Sequence, residues 1–440
     1  MDTLTASDDA ILNLGAAALA RAIAGGEISA TETVSAHIAR IEVVQGQINA
    51  FVDFDPDAAL IAARAADEAR SRAEPLGALH GVPVSIKYWI EVEGFRCVGG
   101  YEHRKDFRPR RDATVVARLK AAGGIILGKT VTGDGGTLHS RPNNPHDLTR
   151  SPGASSSGEA ALVAALGSPL GIGSDSGGSI RQPAAWCGVM GLKPSSGRVP
   201  LTGHYPPIGA LSDPRTVIGP IARRVEDLAL AMTVIGGPDG RDPSVAPVPL
   251  PDYREVAVAG LRILLADCAG IDETSPATLE ALGAAARTLE ASGAIIEPAD
   301  PAWLSQMLEE SLAISRDYWA RPESTSLRTW TPYGQTRLTG DQIGEHLFRW
   351  ERLQRQMIEM MGRFDAILMP VSPKAAPPHR PLFERDYLFT LPFSLTGQPV
   401  MVAPAGWEEA LPIGVQIAAR KWEDHVALAL AATVRGEAPR

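Results

Sequence analysis

The sequence predicts an α/β protein in which helices cover both faces of a β-sheet. Continuous apolar segments at 261–267 (LRILLAD) and 364–373 (FDAILMPVSP) are typical of strands that are buried on both faces. Segments with helical spacing alternate with strands at both ends of the chain, as they do in α/β folds. A length of 440 residues would allow two or three domains, but large α/β proteins often keep one core at this size. We therefore expect a single domain.

The N-terminal elements follow from local patterns. Residues 29–43 (SATETVSAHIARIEV) predict a helix, because Ser29 and Glu32 form a capping box and apolar residues follow at helical spacing. A second, alanine-rich helix is predicted at about 57–73. Residues 81–94 (GVPVSIKYWIEVEG) change to β-branched and aromatic side chains bounded by glycines, which indicates a strand.

The remaining elements continue this alternation. Residues 112–124 predict a helix that stops at glycines, and a short buried strand is expected at 125–127. Residues 128–220 are rich in glycine, serine and proline but contain apolar segments, so we interpret them as ordered loops around a core. Another helix is predicted within 278–294. The proline-rich segment 236–253 is expected to cross the surface between two strands of the same sheet.

The composition limits the classes of partner and compartment. Forty-two basic and 51 acidic residues give a formal charge of −9, which argues against nucleic acid or an anionic membrane as the main partner. Three widely spaced cysteines form no disulfide framework. The N-terminus does not resemble a signal peptide, and no apolar segment reaches the 18 residues of a membrane span. We expect a soluble cytoplasmic protein.

One motif suggests a different class of protein. Residues 123–130 (GGIILGKT) match the phosphate-binding loop of nucleotide-binding proteins. That function needs a flexible loop between a strand and a helix, whereas Ile125–Leu127 favour a strand and VTGDGG is a poor helix start. The local context therefore disfavours nucleotide binding through Gly123–Thr130. The nine histidines show no metal-ligand spacing, and we expect neither a metal nor a cofactor.

Two serine-rich loops are the strongest candidates for a reactive site. They are residues 151–159 (SPGASSSGE) and 173–181 (GSDSGGSIR). A helix of about ten residues rises about 15 Å between them, and six or seven extended residues return about 20 Å, so both loops can reach one sheet edge. Gly177 and Gly178 can turn tightly and direct backbone N–H groups at one point, beside which Ser179 would be held.

With these two loops and the residues around them, the chain resembles the amidase signature family. Residues 140–200 follow the serine- and glycine-rich signature almost from end to end, residues 81–94 resemble the strand that carries the family's lysine, and the similarity extends from about residue 10 to 430. The resemblance implies a central mixed sheet between helices. It also implies a catalytic core at about 75–235, with residues 255–435 completing the sheet and covering the substrate pocket.

The resemblance assigns a role to each matching residue. It makes Ser179 the nucleophile, Lys87 the base, and Ser155 the bridging serine, expected on a cis peptide after Ala154. The other assignments are backbone oxyanion donors and supporting groups: Ser176, Gly177 and Gly178 as donors, and Ser156, Asp175 and Arg181 as support. The implied reaction is hydrolysis of a carboxylic amide through an acyl-enzyme, with anilides, carbamates (urethanase activity) or esters as further candidates. No cofactor is implied, and the protein would act as a monomer or homodimer on a small molecule.

A lysine can be a base only when it is neutral. Lys87 is flanked on a core strand by Ile86 and by the aromatic residues Tyr88 and Trp89, and desolvation there would favour the neutral amine. Ser156 could instead cap the following helix, and Asp175 with Arg181 could be a surface ion pair of little energetic value. Ser174 is expected only to end a strand.

The sequence also departs from the family pattern. Tyr88 stands where an acidic residue is common, Ala154 and Ser157 replace glycines, and Gly135 replaces an aromatic residue, which suggests room for a bulky or aryl substrate. Two alternatives stay open: the amidase component of a tRNA-dependent amidotransferase, which would need partner subunits and an ammonia channel, and a scaffold without activity. The scaffold is disfavoured because all three catalytic positions are filled.

Overall fold

One mixed β-sheet runs through the protein. The structure is a computed structural model that describes residues 5–100, 102–133, 138–208, 213–319 and 339–437. Within these ranges the strands are β1 (Phe51–Phe54), β2 (Pro83–Lys87), β3 (Ile125–Thr130), β4 (Leu170–Asp175), β5 (Met190–Lys193), β6 (Val217–Ala222), β7 (Arg262–Leu265), β8 (Ile295–Pro298), β9 (Ala366–Pro370), β10 (Val400–Glu408) and β11 (Leu411–Ala419). Their order in the sheet is β1-β3-β2-β4-β6-β5-β10-β11-β9-β7-β8.

The sheet combines parallel and antiparallel pairs. Strand β2 is parallel to both β3 and β4, and β7 is parallel to both β8 and β9. The other neighbouring strands are antiparallel, including β4 with β6 and β10 with β11. The predicted α/β fold with a mixed sheet is therefore confirmed.

Helices pack against this sheet. In the described part of the chain they are α1 (Ala6–Asn13), α2 (Ala16–Gly25), α3 (Ala30–Ile48), α4 (Pro56–Ser71), α5 (Thr114–Ala121), α6 (Ser157–Ala164), α7 (Arg181–Cys187), α8 (Val225–Ile235), α9 (Pro276–Ala291), α10 (Pro301–Trp319), α11 (Gly340–Met361), α12 (Leu391–Thr396) and α13 (Asp424–Arg435). None of them is long and apolar enough to cross a membrane, as far as the described residues go.

The predicted helices lie close to the positions that the sequence indicated, with small shifts at their ends. Helix α3 starts after Ser29, whose side chain accepts from the Glu32 N–H while the Glu32 carboxylate accepts from the Ser29 N–H. The helix runs five residues beyond the predicted end, to a left-handed Asn49 at its C-cap. Helix α5 starts later than predicted, at Thr114, because the Asp112 carboxylate instead binds the Glu93 N–H and Lys120.

The phosphate-loop motif lies inside a strand. Strand β3 extends through Gly128, Lys129 and Thr130 and pairs with β1 on one side and β2 on the other. The Lys129 side chain is fully buried and donates to the Ile90 carbonyl. These backbone groups belong to the sheet and cannot form a phosphate-binding loop, so the nucleotide-binding alternative is wrong.

The chain between α6 and the following strand has the predicted form. Helix α6 and strand β4 are joined by a short connection, so the loop before α6 and the loop after β4 lie at the same sheet edge. Strand β2 pairs directly with β4, which places Lys87 at this edge as well. The proline-rich segment 236–253 lies between α8 and β7, and β6, which precedes α8, belongs to the same sheet as β7, as expected.

Candidate active site

Lys87 lies at the centre of a hydrogen-bonded group of serines. Its side chain is fully buried, and its amine lies 2.6 Å from Ser155 Oγ and 3.0 Å from Ser156 Oγ. The same nitrogen lies 3.0 Å from Ser174 Oγ and 3.1 Å from the Ser174 carbonyl oxygen. Serines from two separate parts of the sequence therefore surround the amine of a lysine from a third part.

The surroundings of Lys87 favour its neutral form. Burial lowers the pKa of Lys87 to about 7, although the negative charges of Asp175 and Glu159 act in the opposite direction. The ring of Trp89 lies 4.6 Å from the amine and helps to exclude water. A substantial fraction of Lys87 is therefore neutral near pH 7, as a general base requires.

The nucleophile candidate lies next to this group. The Ser156 N–H donates to the Ser179 carbonyl over 3.2 Å, which connects the two serine-rich loops. Ser155 and Ser179 are partly exposed, whereas Lys87 and Ser156 are buried, so the two hydroxyls are the accessible end of the group. The Ser155 hydroxyl forms a hydrogen bond with Lys87. Within the described residues, no hydrogen bond joins the Ser155 hydroxyl to the Ser179 hydroxyl.

The expected cis peptide is not observed. The described part of the chain has its cis bond at Tyr205–Pro206, and the Ala154–Ser155 bond is trans. Ser155 contacts Lys87 with this bond in the trans form.

The loop after β4 can accept an oxyanion. Within the described chain, the backbone N–H groups of Ser176, Gly177 and Gly178 donate to no protein group. Gly178 has a φ of 148°, and a Cβ there would lie 2.5 Å from Thr390 Oγ1. Glycine is therefore needed at this position, and the Thr390 hydroxyl fixes the loop by donating to the Gly177 carbonyl.

Asp175 and Arg181 close the base of this loop. Both side chains are fully buried, and two guanidinium nitrogens lie 2.8 and 3.0 Å from the two carboxylate oxygens. Burial alone would raise the pKa of Asp175, but Arg181 and the Ile180 N–H keep it below its usual value. Arg181 also donates to the Thr390 carbonyl over 2.6 Å. The alternative of a surface pair is wrong, because this pair lies in the interior.

The other serines differ from expectation in part. Ser156 occupies the N-cap position of α6 but makes no capping hydrogen bond. Its hydroxyl instead donates to the Ser174 carbonyl over 3.0 Å and accepts from the Ser174 N–H over 3.2 Å. Ser174 lies near the end of β4 as predicted, but it also contacts Lys87, so the expectation that it only ends a strand is wrong. The Ser176 hydroxyl lies 2.6 Å from Thr216 Oγ1.

Sequence reasoning missed His204. Its Nε2 lies 2.9 Å from Ser174 Oγ, and the ring is buried beside Trp89. Nothing in the sequence around this histidine indicated a role, because Ser174 and Lys87 lie 30 and 117 residues away along the chain.

Of the positions that depart from the family pattern, Tyr88 and Ser157 are both buried, and Gly135 lies outside the described residues.

The comparisons with known proteins identify the family of this chain. The family model described as Amidase matches residues 32–316 and 335–428. The chain therefore belongs to the amidase family, as its resemblance to the amidase signature implied.

Individual relatives are similar over nearly the whole chain. One of the subunits of glutamyl-tRNA(Gln) amidotransferase from Chloroflexus aggregans is 35% identical, over 92% of each chain. One solved structure, described as revealing the evolutionary origins of an s-triazine catabolic enzyme, is 30% identical with a TM-score of 0.84, over 96% of this chain and 98% of that one. A bacterial aryl acylamidase is 26% identical with a TM-score of 0.83, over 97% and 96%.

Proposed function

We propose that this protein hydrolyses carboxylic amides with Ser179 as nucleophile, Ser155 as bridging serine and Lys87 as base. The observation that carries the proposal is the 2.6 Å contact between Lys87 Nζ and Ser155 Oγ, made by a fully buried amine whose pKa burial lowers to about 7. Membership of the amidase family supports hydrolysis of a carbon–nitrogen bond.

The proposed reaction begins with a proton relay. Neutral Lys87 takes the proton of Ser155, and Ser155 takes the proton of Ser179 as Ser179 Oγ attacks the substrate carbonyl. The two serine hydroxyls approach each other when substrate binds, because catalytic hydrogen bonds are often tightened only in the complex. The N–H groups of Ser176, Gly177 and Gly178 stabilise the oxyanion that forms.

The second half of the reaction reverses the relay. The carbon–nitrogen bond breaks as the proton on Lys87 passes through Ser155 to the leaving amine. Water then attacks the acyl-enzyme and gives up a proton, which passes to Lys87. The bond between the acyl carbon and Ser179 Oγ breaks as that proton returns through Ser155 to Ser179, which releases the acid and restores the free serine and the neutral lysine.

The described surroundings of the oxyanion loop favour an uncharged, aromatic or apolar substrate. On the open side of Gly177, Leu391 and Tyr387 lie 3.6 and 3.8 Å from the position a Cβ would take. We propose a small-molecule amide, with an anilide or an aryl carbamate as the first candidates. The likeness to a bacterial aryl acylamidase supports this class.

A second candidate is the amidase component of a tRNA-dependent amidotransferase. The similarity to the Chloroflexus amidotransferase protein covers 92% of each chain. This similarity supports the amidotransferase candidate more directly than any one relative supports a free-standing amidase. In that case the substrate amide would be that of glutamine, and the released ammonia would pass to a partner. Glutamine carries two charges, which a buried site must balance with charged partners.

A substrate panel separates these candidates. We expect the purified chain to release amine from anilides, aliphatic amides or carbamates, or p-nitrophenol from p-nitrophenyl esters. Ser179→Ala is expected to lower the rate by about a thousandfold or more. Ser168→Ala is the matched control, because Ser168 is buried near the opposite end of β4 and bonds to the Leu170 carbonyl. An unchanged rate in Ser179→Ala would refute the proposal. Activity on glutamine alone, dependent on added partner subunits, would support the amidotransferase candidate instead.

A further inference from the structure

His204 contacts Ser174, and Ser174 in turn contacts the candidate base Lys87. We propose that His204 is a positioning residue that, through Ser174, turns the lone pair of the Lys87 amine towards Ser155. The proposal rests on the function proposed above. It concerns how the amine is oriented, which neither the family match nor the relatives describe.

The proton positions on His204 follow from its partners. Its Nδ1 lies 3.2 Å from the Pro206 carbonyl oxygen, which can only accept, so Nδ1 carries a proton. Burial lowers the pKa of His204 to about 3, and the nearby Lys87 and Lys129 act in the same direction. The ring is therefore neutral, and Nε2 is an acceptor.

This tautomer fixes the hydroxyl of Ser174. With Nε2 as an acceptor at 2.9 Å, the Ser174 O–H donates to His204. Its oxygen can then only accept from the Lys87 amine, which lies 3.0 Å away. Without His204 the same hydroxyl would be free to donate to the lone pair of the amine and so compete with Ser155.

The other neighbours of the amine complete the orientation. The Ser174 carbonyl can only accept, and the Ser156 hydroxyl already donates to that carbonyl, so it too accepts from Lys87. Three of the four neighbouring oxygens are therefore acceptors. Ser155, at 2.6 Å, is the one whose proton is available to the lone pair of the neutral amine. The base is thus directed at the serine that it must deprotonate.

The inference predicts a change in serine reactivity. A fluorophosphonate reacts with an activated serine by forming an O–P bond as fluoride leaves and the hydroxyl proton passes to the base. The rate of this reaction at Ser179, followed by intact-protein mass across about pH 5–9, reports the base without a known substrate. His204→Leu is expected to slow it about tenfold near neutral pH, since the lone pair is then shared between Ser174 and Ser155.

The pH profile separates positioning from support of the fold. Because the freed Ser174 hydroxyl can donate to the lone pair and so stabilise the neutral amine, the profile of His204→Leu is expected to move to lower pH by about half a unit to one unit. The charged groups that bear on Lys87, namely Asp175 and Glu159, are unchanged in this variant. His204→Gln can place a carbonyl oxygen near the position of Nε2 and is expected to restore the rate and profile of the parent.

A double-variant cycle tests whether His204 acts through Ser174. In a Ser174→Ala background, His204→Leu is expected to change the rate by less than about twofold, because both residues form one unit. An equal slowing in both backgrounds, or no slowing by His204→Leu, would overturn the inference. If His204→Leu does not fold, His204→Phe removes the same acceptor while keeping a ring, and a parent-like rate in that variant would overturn the inference. A parent that is not labelled at Ser179 would refute the proposed function itself, which distinguishes the two failures.

Discussion

The pH dependence of the base is the most direct test of the site. Burial lowers the pKa of Lys87 to about 7, so about a tenth of the amine is neutral at pH 6 and about nine tenths at pH 8. The kcat/KM of the parent should therefore rise nearly tenfold between these two pH values. Lys87→Met keeps a chain of similar shape without a base, and should lower kcat/KM by about 10²–10⁴-fold and remove the rise.

A second buried lysine supplies the matched control. Lys193 is also fully buried, burial lowers its pKa to about 7 as well, and its amine donates to the carbonyls of Pro194 and Gln398 rather than to the serines. Lys193→Met should keep the rise near pH 7. The assay is amine release from a chromogenic anilide, with folding checked by thermal melting. A rise that survives in Lys87→Met and disappears in Lys193→Met would refute Lys87 as the base.

Three further predictions concern the stability of the folded protein. Gly178→Ala should lower the free energy of unfolding by about 1–3 kcal/mol in urea titrations, because the φ of Gly178 is 148°. Gly177→Ala should leave the free energy of unfolding nearly unchanged. Equal losses of stability in the two variants would contradict this prediction. Arg181→Met leaves a buried carboxylate unpaired and should cost about 3–5 kcal/mol by the same measurement, and a cost below about 1 kcal/mol would argue against a structural ion pair. Burial raises the pKa of Glu159 to about 7, so the folded protein holds this proton more tightly than the unfolded chain does. The free energy of unfolding should therefore fall as the pH rises from about 4.5 to 7. Glu159→Gln should make this fall smaller in thermal melts across the same pH range.

Local patterns were sufficient to predict several elements of the fold. The capping box of Ser29 and Glu32 starts α3 at the predicted residue, because a cap depends on side chains only three positions apart. The apolar segment 366–370 is a strand buried on both faces, as continuous apolar character predicts. Strand ends were less predictable: β3 runs to Thr130 rather than stopping at 127, since its last residues gain partners on both sides from β1 and β2.

The sequence by itself determined the α/β class, the two serine-rich loops and, through its resemblance to the amidase signature, the candidates Lys87, Ser155 and Ser179. These features depend on residue type and short spacing, which a sequence displays directly. Only the tertiary structure decided that Asp175 and Arg181 are buried and that Ser174 and His204 join the lysine. Those contacts depend on which strands become neighbours in the sheet, and neighbours there are set by the packing of the whole chain rather than by any local pattern.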